Sequence, residues 1–188
     1  MGPFETEVQR VTLLDFPAEG LILDIGGGGS GIIGRLKGEQ VVSIDNRIGE
    51  FKDANNTAFK LHMDGEQLSF ADGQFHKATA FFSLMYMPNE VKEKVLREVY
   101  RVLRDEGILY IWDTKIDAAA LAGKKEAFII HLSVLYPNGD EVCTGYGVSL
   151  KNKQQDAGSV AEMASRCGFE LVKKVVNEYV FFLKLQKR

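Results

Sequence analysis

Apolar residues along this chain gather into short runs separated by glycine, proline and polar turn formers. Each run reads as a strand or as one side of a helix. Leu21–Ile25 is a short run, apolar but for Asp24, that meets Gly26–Gly29, Ser30 and Gly31. Ile32, Ile33 and Leu36 follow at helical spacing, and Gly38 is placed to stop that helix. Further strands are predicted over Gln40–Ile44, Ala58–His62, Phe75–Phe82 and Ile108–Trp112. The clearest helix is Asn89–Arg104: Val91, Val95, Val99, Val102 and Leu103 recur on one side, Asn89 suits the N-cap, and Gly107 ends the segment. Phe4–Leu14 reads as a short amphipathic helix, and Ala118–Phe128 as another. Phe128–Tyr136 and Glu141–Leu150 read as strands joined at Asn138-Gly139, a strong hairpin signal. Ser159 and Glu162 have capping-box spacing before a helix built on Val160, Met163, Ala164 and Cys167, which Gly168 closes. Leu171–Val176 and Tyr179–Leu185 end the chain as a strand pair. Alternating strands and helices imply an α/β fold, doubly wound, with a mostly parallel sheet and helices on both faces.

Composition changes this picture little. The chain has 188 residues, which suits one domain over 1–188 with the hairpin at about 128–150 as an insertion. The formal charge is −3, with 45% hydrophobic and 26% charged residues. No stretch is basic enough to suggest a nucleic-acid partner. Cys143 and Cys167 form no CxxC pair, and His62, His76 and His131 form no metal pattern, so no metal is expected. Neither a signal peptide nor a run of membrane-spanning length is visible, and the default expectation is a cytoplasmic protein. The apolar Phe128–Tyr136 run suggests a surface for a homodimer.

Candidate chemistry centres on the glycine turn. Gly26, Gly28 and Gly31 fit the G-x-G-x-x-G spacing of nucleotide-binding turns. Asp45 ends the next strand about 20 residues on, where an acid accepts hydrogen bonds from ribose hydroxyls. Asp24 points away from a dinucleotide: a carboxylate beside the turn repels a pyrophosphate and attracts an ammonium group. S-adenosylmethionine carries such a group and no phosphate, and its carboxylate suits the N–H groups of the turn at the helix N-terminus. An NAD-dependent oxidoreductase explains the turn and Asp45, but neither Asp24 nor the 64–75 stretch.

Four ordered stretches together resemble the class I S-adenosylmethionine-dependent methyltransferases. Leu23–Gly28 looks like the family's glycine motif and Asp45 like its ribose-binding acid. Residues 64–75 are similar to its D-x-x-x-L-P-F-x-D-x-x-F stretch, and Val99–Leu109 resembles its passage from helix into the fifth strand. The resemblance implies a seven-stranded sheet in order 3-2-1-4-5-7-6 with the seventh strand antiparallel. It implies Asp24 on the methionine amino group, and Gly26 and Gly28 allowing close backbone approach. Asp45 would bind the ribose with Asn46 and Arg47 flanking it, Met63, Asp64 and Gly65 would border the adenine, and Phe81, Phe82 and Ser83 would lie near the methionine and the acceptor. The sequence departs from the family at His76, where an aspartate is usual, and at Ser69, where a proline is usual. The implied activity is methyl transfer to a small-molecule acceptor; a non-catalytic S-adenosylmethionine-binding or dimerisation module is the alternative. Tyr86, His131, Tyr136 and Tyr146 are candidates to line the acceptor pocket, and no catalytic residue is assigned.

Overall fold

The computed structural model describes residues 2–17, 19–52, 54–151 and 153–188. Its first elements depart from the sequence pattern. Residues 4–14 form no helix but two short strands, β1 (Phe4–Glu5) and β2 (Gln9–Thr12). The physical reason is a period of two: Val11 and Leu13 point inward, while Val8, expected on the apolar side of a helix, is 60% exposed. β-Branched Thr6, Val8, Val11 and Thr12 favour the extended form once a neighbouring strand is available.

The next run follows the pattern closely. Strand β3 (Ile22–Ile25) is buried at every position and leads through the glycine turn into helix α1 (Ile32–Lys37). Then come β4 (Val41–Asp45), β5 (Phe59–His62), β6 (Phe75–Phe81) and helix α2 (Asn89–Val102). Asn89 is the first residue of α2 rather than its cap. Pro88 takes the cap position, where its fixed φ of −61° sets the entry of the chain. Strand β7 (Leu103–Thr114) starts earlier than the glycine suggested and runs through Gly107, with a register shift against β6 between Phe75 and Lys77. Helix α3 keeps only Ala118–Leu121, and β8 (Ala127–Leu135) and β9 (Glu141–Ser149) form the expected hairpin. Helix α4 (Ala157–Arg166) has a capping box, but three residues earlier than expected. Asp156 is the cap, its carboxylate accepting from the Gly158 and Ser159 amides, and Ser159 is the third helical residue. Strands β10 (Phe169–Val176) and β11 (Val180–Lys187) close the chain.

The main sheet has the order β5-β4-β3-β6-β7-β11-β10, which counted along the sheet's own strands is 3-2-1-4-5-7-6. β11 runs antiparallel to both neighbours, and the other pairs are parallel. Alternate residues feed two cores. Leu109, Ile111, Phe181 and Leu183 face α2 and α4, meeting Val95, Leu96, Val99, Val160 and Met163. Tyr110, Trp112, Val180 and Phe182 face the other way. Among the described residues that second face carries the short helices α1 and α3 and a small β-sheet rather than a full layer of long helices. In this sheet β1 and β2 run parallel along one edge of β8, and β9 pairs antiparallel along the other. Phe128, Ile130, Leu132, Val134 and Tyr136 are buried beneath it against Phe16, Ile33 and Trp112. The apolar run that suggested a homodimer surface is therefore covered by its own chain.

Candidate functional site

A cleft of about 490 Å³ opens at the carboxyl ends of β3, β4 and β6. Parallel strands place their carboxyl ends together, and the loops leaving them wall the opening. Its lining brings together Asp24, Gly26, Gly28, Asp45, Asn46, Met63, Asp64, Gly65, Phe81 and Phe82, along with Ser83, Tyr86 and Tyr146.

The glycine turn is shaped by close packing. Gly26 has φ +69°, and a Cβ there would lie 2.6 Å from Ser83 Cβ. A Cβ on Gly28 would lie 2.5 Å from Glu50 Cβ and 2.8 Å from Asp45 Oδ2. Both positions admit only hydrogen, for steric reasons that local spacing alone does not show. The amides of the turn differ from expectation. Those of Gly26 and Gly27 donate to the Ile44 carbonyl, that of Gly29 to Glu50 and that of Gly31 to Gly28. α1 is six residues long, with Gly31 in the left-handed conformation at its cap. These four donors are engaged within the protein and are not available to a ligand carboxylate.

Carboxylates dominate one half of the cleft. Asp24 is 2% exposed, and its Oδ1 accepts from Thr79 Oγ1 at 2.7 Å. Burial pushes its carboxyl up to about 7, with Asp45 adding to the rise while Thr79 and Ser43 oppose it. Asp45 accepts from the Arg47 amide at 2.9 Å through Oδ1, and its carbonyl accepts from the Met63 amide, which ties the end of β4 to the next loop. Asp64 is exposed and accepts from the Glu66 amide, an Asx turn that leaves its outer oxygen toward solvent. The 64–75 loop is pinned from α2: Glu98 accepts from the Leu68 amide, while Arg101 donates to the carbonyls of Leu68 and Phe70 and to Asp72. Arg101 and Glu98 are the structural reason this stretch holds its shape.

Aromatic side chains make the other half. Phe82 follows β6 with φ +48°, an uncommon conformation for a large residue, and its amide donates to the Trp112 carbonyl. Its ring stacks on Tyr146, with centroids 5.6 Å apart and planes 12° apart, while Phe81 meets both edge-on. Tyr86 carries the Arg47 guanidinium over its ring at 5.8 Å, and burial pushes its hydroxyl up to about 12. Ser83 Oγ is buried in this wall with no hydrogen-bond partner among the described residues, an orphaned group of the kind a polar ligand atom satisfies.

His131 lies elsewhere. Its ring pairs with Glu5 Oε2 at 3.0 Å on the outer face of the small sheet, so its assignment to the acceptor pocket is corrected. Register explains this: Tyr146 stands opposite Ile130, on the buried face, while His131 stands opposite Gly145 on the outer one. Tyr136 is also outside the cleft, donating to the Ile32 carbonyl beneath it. His76 sits at the amino end of β6, against Gly20, at the opposite end of the sheet from the cleft. The departure from the family at that position leaves the cleft untouched.

Sequence reasoning missed a buried polar group behind the aromatic wall. Asp113 is fully buried and accepts from the Met85 and Thr114 amides and from Gln155 Nε2. Burial raises its carboxyl to about 6. Lys92 is 1% exposed; burial lowers its ammonium to about 8, and Asp113 counters this. These residues come from α2, β7 and the segment before α4, so no local spacing could have found them.

Residues 23–111 match the methyltransferase domain family. The sterol 4-C-methyltransferase of Caenorhabditis elegans is 32% identical over 98 residues, or 50% of this chain. This chain spans only 28% of that relative's length. Among solved structures, an S-adenosylmethionine-dependent methyltransferase from Methanosarcina mazei superposes with a TM-score of 0.67 at 18% identity, covering 94% of this chain and 99% of its own. One from Mesorhizobium loti gives 0.63 at 13% identity, covering 92% and 94%. Among the described residues no helix is long and apolar enough to cross a membrane. The glycine turn, the strand order and these likenesses agree: residues 23–111 match a methyltransferase domain, and the chain has the fold of the S-adenosylmethionine-dependent methyltransferases it superposes on.

Proposed function

We propose that this protein binds S-adenosylmethionine and uses it to methylate a small molecule held against the aromatic wall. The observation that carries the reading is the row of carboxylates Asp24, Asp45 and Asp64 on one side of a single cleft, near the carboxyl ends of three neighbouring strands of the sheet. Asp24 would pair with the methionine ammonium. Burial raises its proton affinity, and an ammonium beside it would favour the ionised form. Asp45 would accept from the ribose hydroxyls, flanked by Asn46. Met63 and Gly65 would border the adenine, with Asp64 accepting its exocyclic N–H. The bare backbone at Gly26 and Gly28 would allow close approach, and Ser83 Oγ would gain the partner it lacks. When bound, S-adenosylmethionine supplies a methyl group already activated by a sulfonium charge. The protein's own part is then to align donor and acceptor and to exclude water, and proximity of this kind is a large share of catalysis. Phe81, Phe82 and Tyr146 form the dry wall for that alignment.

Isothermal titration with S-adenosylmethionine, S-adenosylhomocysteine and NAD, each alone, tests the reading. Binding of both adenosyl ligands without NAD is expected. Binding of NAD alone would return the glycine turn to dinucleotide chemistry.

A further inference from the structure

We infer that Ser83 holds the carboxylate of the cofactor's methionine tail, its hydroxyl donating to that group while Asp24 pairs with the ammonium on the same carbon. This rests on the methyltransferase reading above. It adds a partner for the one charged group of S-adenosylmethionine, besides the sulfonium, that the reading leaves unheld.

An amino-acid tail carries its ammonium and its carboxylate on one carbon, so a site that takes the first must satisfy the second close by. A carboxylate brought beside Asp24 without a donor would give up water and meet a like charge. The nearest backbone donors are already taken: the amides of Gly26 and Gly27 go to Ile44, that of Gly29 to Glu50 and that of Gly31 to Gly28. The other acids of the lining, Asp45, Glu50, Asp64 and Glu66, only accept when ionised. The donor must come from another side chain next to Asp24.

Ser83 stands there. Strands β3 and β6 are parallel neighbours with Asp24 opposite Thr79, so the chain leaving β6 passes beside the turn leaving β3. A Cβ on Gly26, two residues after Asp24, would lie 2.6 Å from Ser83 Cβ and 3.3 Å from its Oγ. Ser83 is 6% exposed. Among the described residues its Oγ is the one buried, unpartnered side-chain atom that belongs to the cleft lining. It occupies the seam where the acidic half of the cleft meets the aromatic half.

The other donors of the lining are placed or occupied differently. Asn46 and Arg47 follow β4, on the opposite side of β3 from β6, and Arg47 pairs with Glu50 at 3.3 Å. The Tyr86 hydroxyl meets the Gly147 amide, and the Tyr146 hydroxyl meets those of Ser30 and Thr144. An unpartnered buried hydroxyl is a cost to the empty fold. A charged acceptor offsets that cost most, because a charge-assisted hydrogen bond is about twice as strong as a neutral one. The ammonium already has Asp24, which leaves the carboxylate as the ligand group that needs this proton.

The test measures binding of S-adenosylhomocysteine and of its decarboxylated analogue to the whole protein by calorimetry. The two ligands share the adenosine, the sulfur and the ammonium and differ only in the carboxylate. Ser83→Ala should weaken S-adenosylhomocysteine by on the order of tenfold and leave the analogue unchanged. Ser83→Cys, close in size but a weak donor, should show the same selective loss. Denaturant unfolding of the free Ser83→Ala protein should show no loss of stability, because the hydroxyl has no partner to lose. Equal weakening of both ligands would give the hydroxyl to the ammonium or the adenosine and overturns the proposal. Unchanged binding of both overturns it too, as does a clear loss of stability in the free variant, which would show the hydroxyl engaged within the protein. Failure of the wild-type protein to bind S-adenosylhomocysteine is a separate result: it removes the methyltransferase reading, and the carboxylate site with it.

Discussion

The two halves of the cleft are built in opposite ways. The acidic half comes from one continuous piece of chain, residues 24–66, in which each strand has a carboxylate near its carboxyl end. The aromatic half is assembled from the end of β6, the turn after it and the hairpin strand β9, which lie far apart in sequence. The first uses charge and bare backbone, which short motifs encode. The second uses shape and ring faces, which depend on packing from several directions. Changes in the first half should therefore act on cofactor binding, and changes in the second on what is methylated.

Asp24→Asn is the sharpest break. It keeps the shape and an acceptor for Thr79 but removes the charge. S-adenosylmethionine should bind roughly 100-fold more weakly, as expected for a lost charge-assisted pair. Stability at pH 7 should not fall, because the replaced carboxyl is buried and costly to ionise. Calorimetry and denaturant unfolding read the two effects separately, and unchanged affinity would move the ammonium site elsewhere.

The pH dependence of the wild-type protein makes the same point with a smaller effect. Asp24 titrates near 7 in the fold against 3.8 ordinarily, and Asp113 near 6. Between pH 4 and 7 the folded form holds protons that the unfolded chain has released, so stability of the free protein should fall as pH rises through that window. Affinity for S-adenosylmethionine should move the other way. It should rise toward pH 7 by up to about tenfold per pH unit, then level off once Asp24 is ionised. Parallel rather than opposed trends would show that Asp24 does not meet the ligand's cation.

Gly26→Ala should cost about 1–3 kcal/mol in denaturant unfolding, since it forces a left-handed conformation and a clash with Ser83 at once. Because Gly26 and Ser83 join the two halves, this variant should weaken both cofactor and acceptor binding. Asp45→Ala should weaken S-adenosylmethionine by about tenfold, the loss of one or two hydrogen bonds to a charged group, with stability little changed. The smallest effect is expected from Thr144→Val, which removes the 2.7 Å hydrogen bond between the hairpin and Ser30 of the glycine turn. A loss of about 0.5–1.5 kcal/mol in stability with cofactor affinity intact would keep the halves separate. A large loss of affinity would mean that the hairpin holds the turn in its binding shape.

What could be read from the chain follows the same division. Ile22–Ile25, the glycines and Asp45 declare themselves because strand, turn and helix succeed one another within a few residues. The order of the main sheet followed from recognising these stretches together. The N-terminal strands did not, because Phe4–Leu14 has too few apolar residues to separate a period of two from one of 3.6 until β8 lies beside it. Tyr146 and His131 looked equivalent in sequence, and only the register of β8 against β9 sends one into the cleft and the other to Glu5. Asp113, Lys92 and Gln155 could be paired only by the fold, since they stand on three separate segments.

The sequence by itself determined the frame and the acidic half of the cleft: buried strands, obligatory glycines and an acid near the end of successive strands are local requirements of backbone geometry and charge. The tertiary structure alone decided the aromatic half. Which ring stacks on which, which face a hairpin residue takes and which buried charges meet are all set by contacts between distant segments. Those contacts exist only when the small sheet has closed over Tyr110 and Trp112.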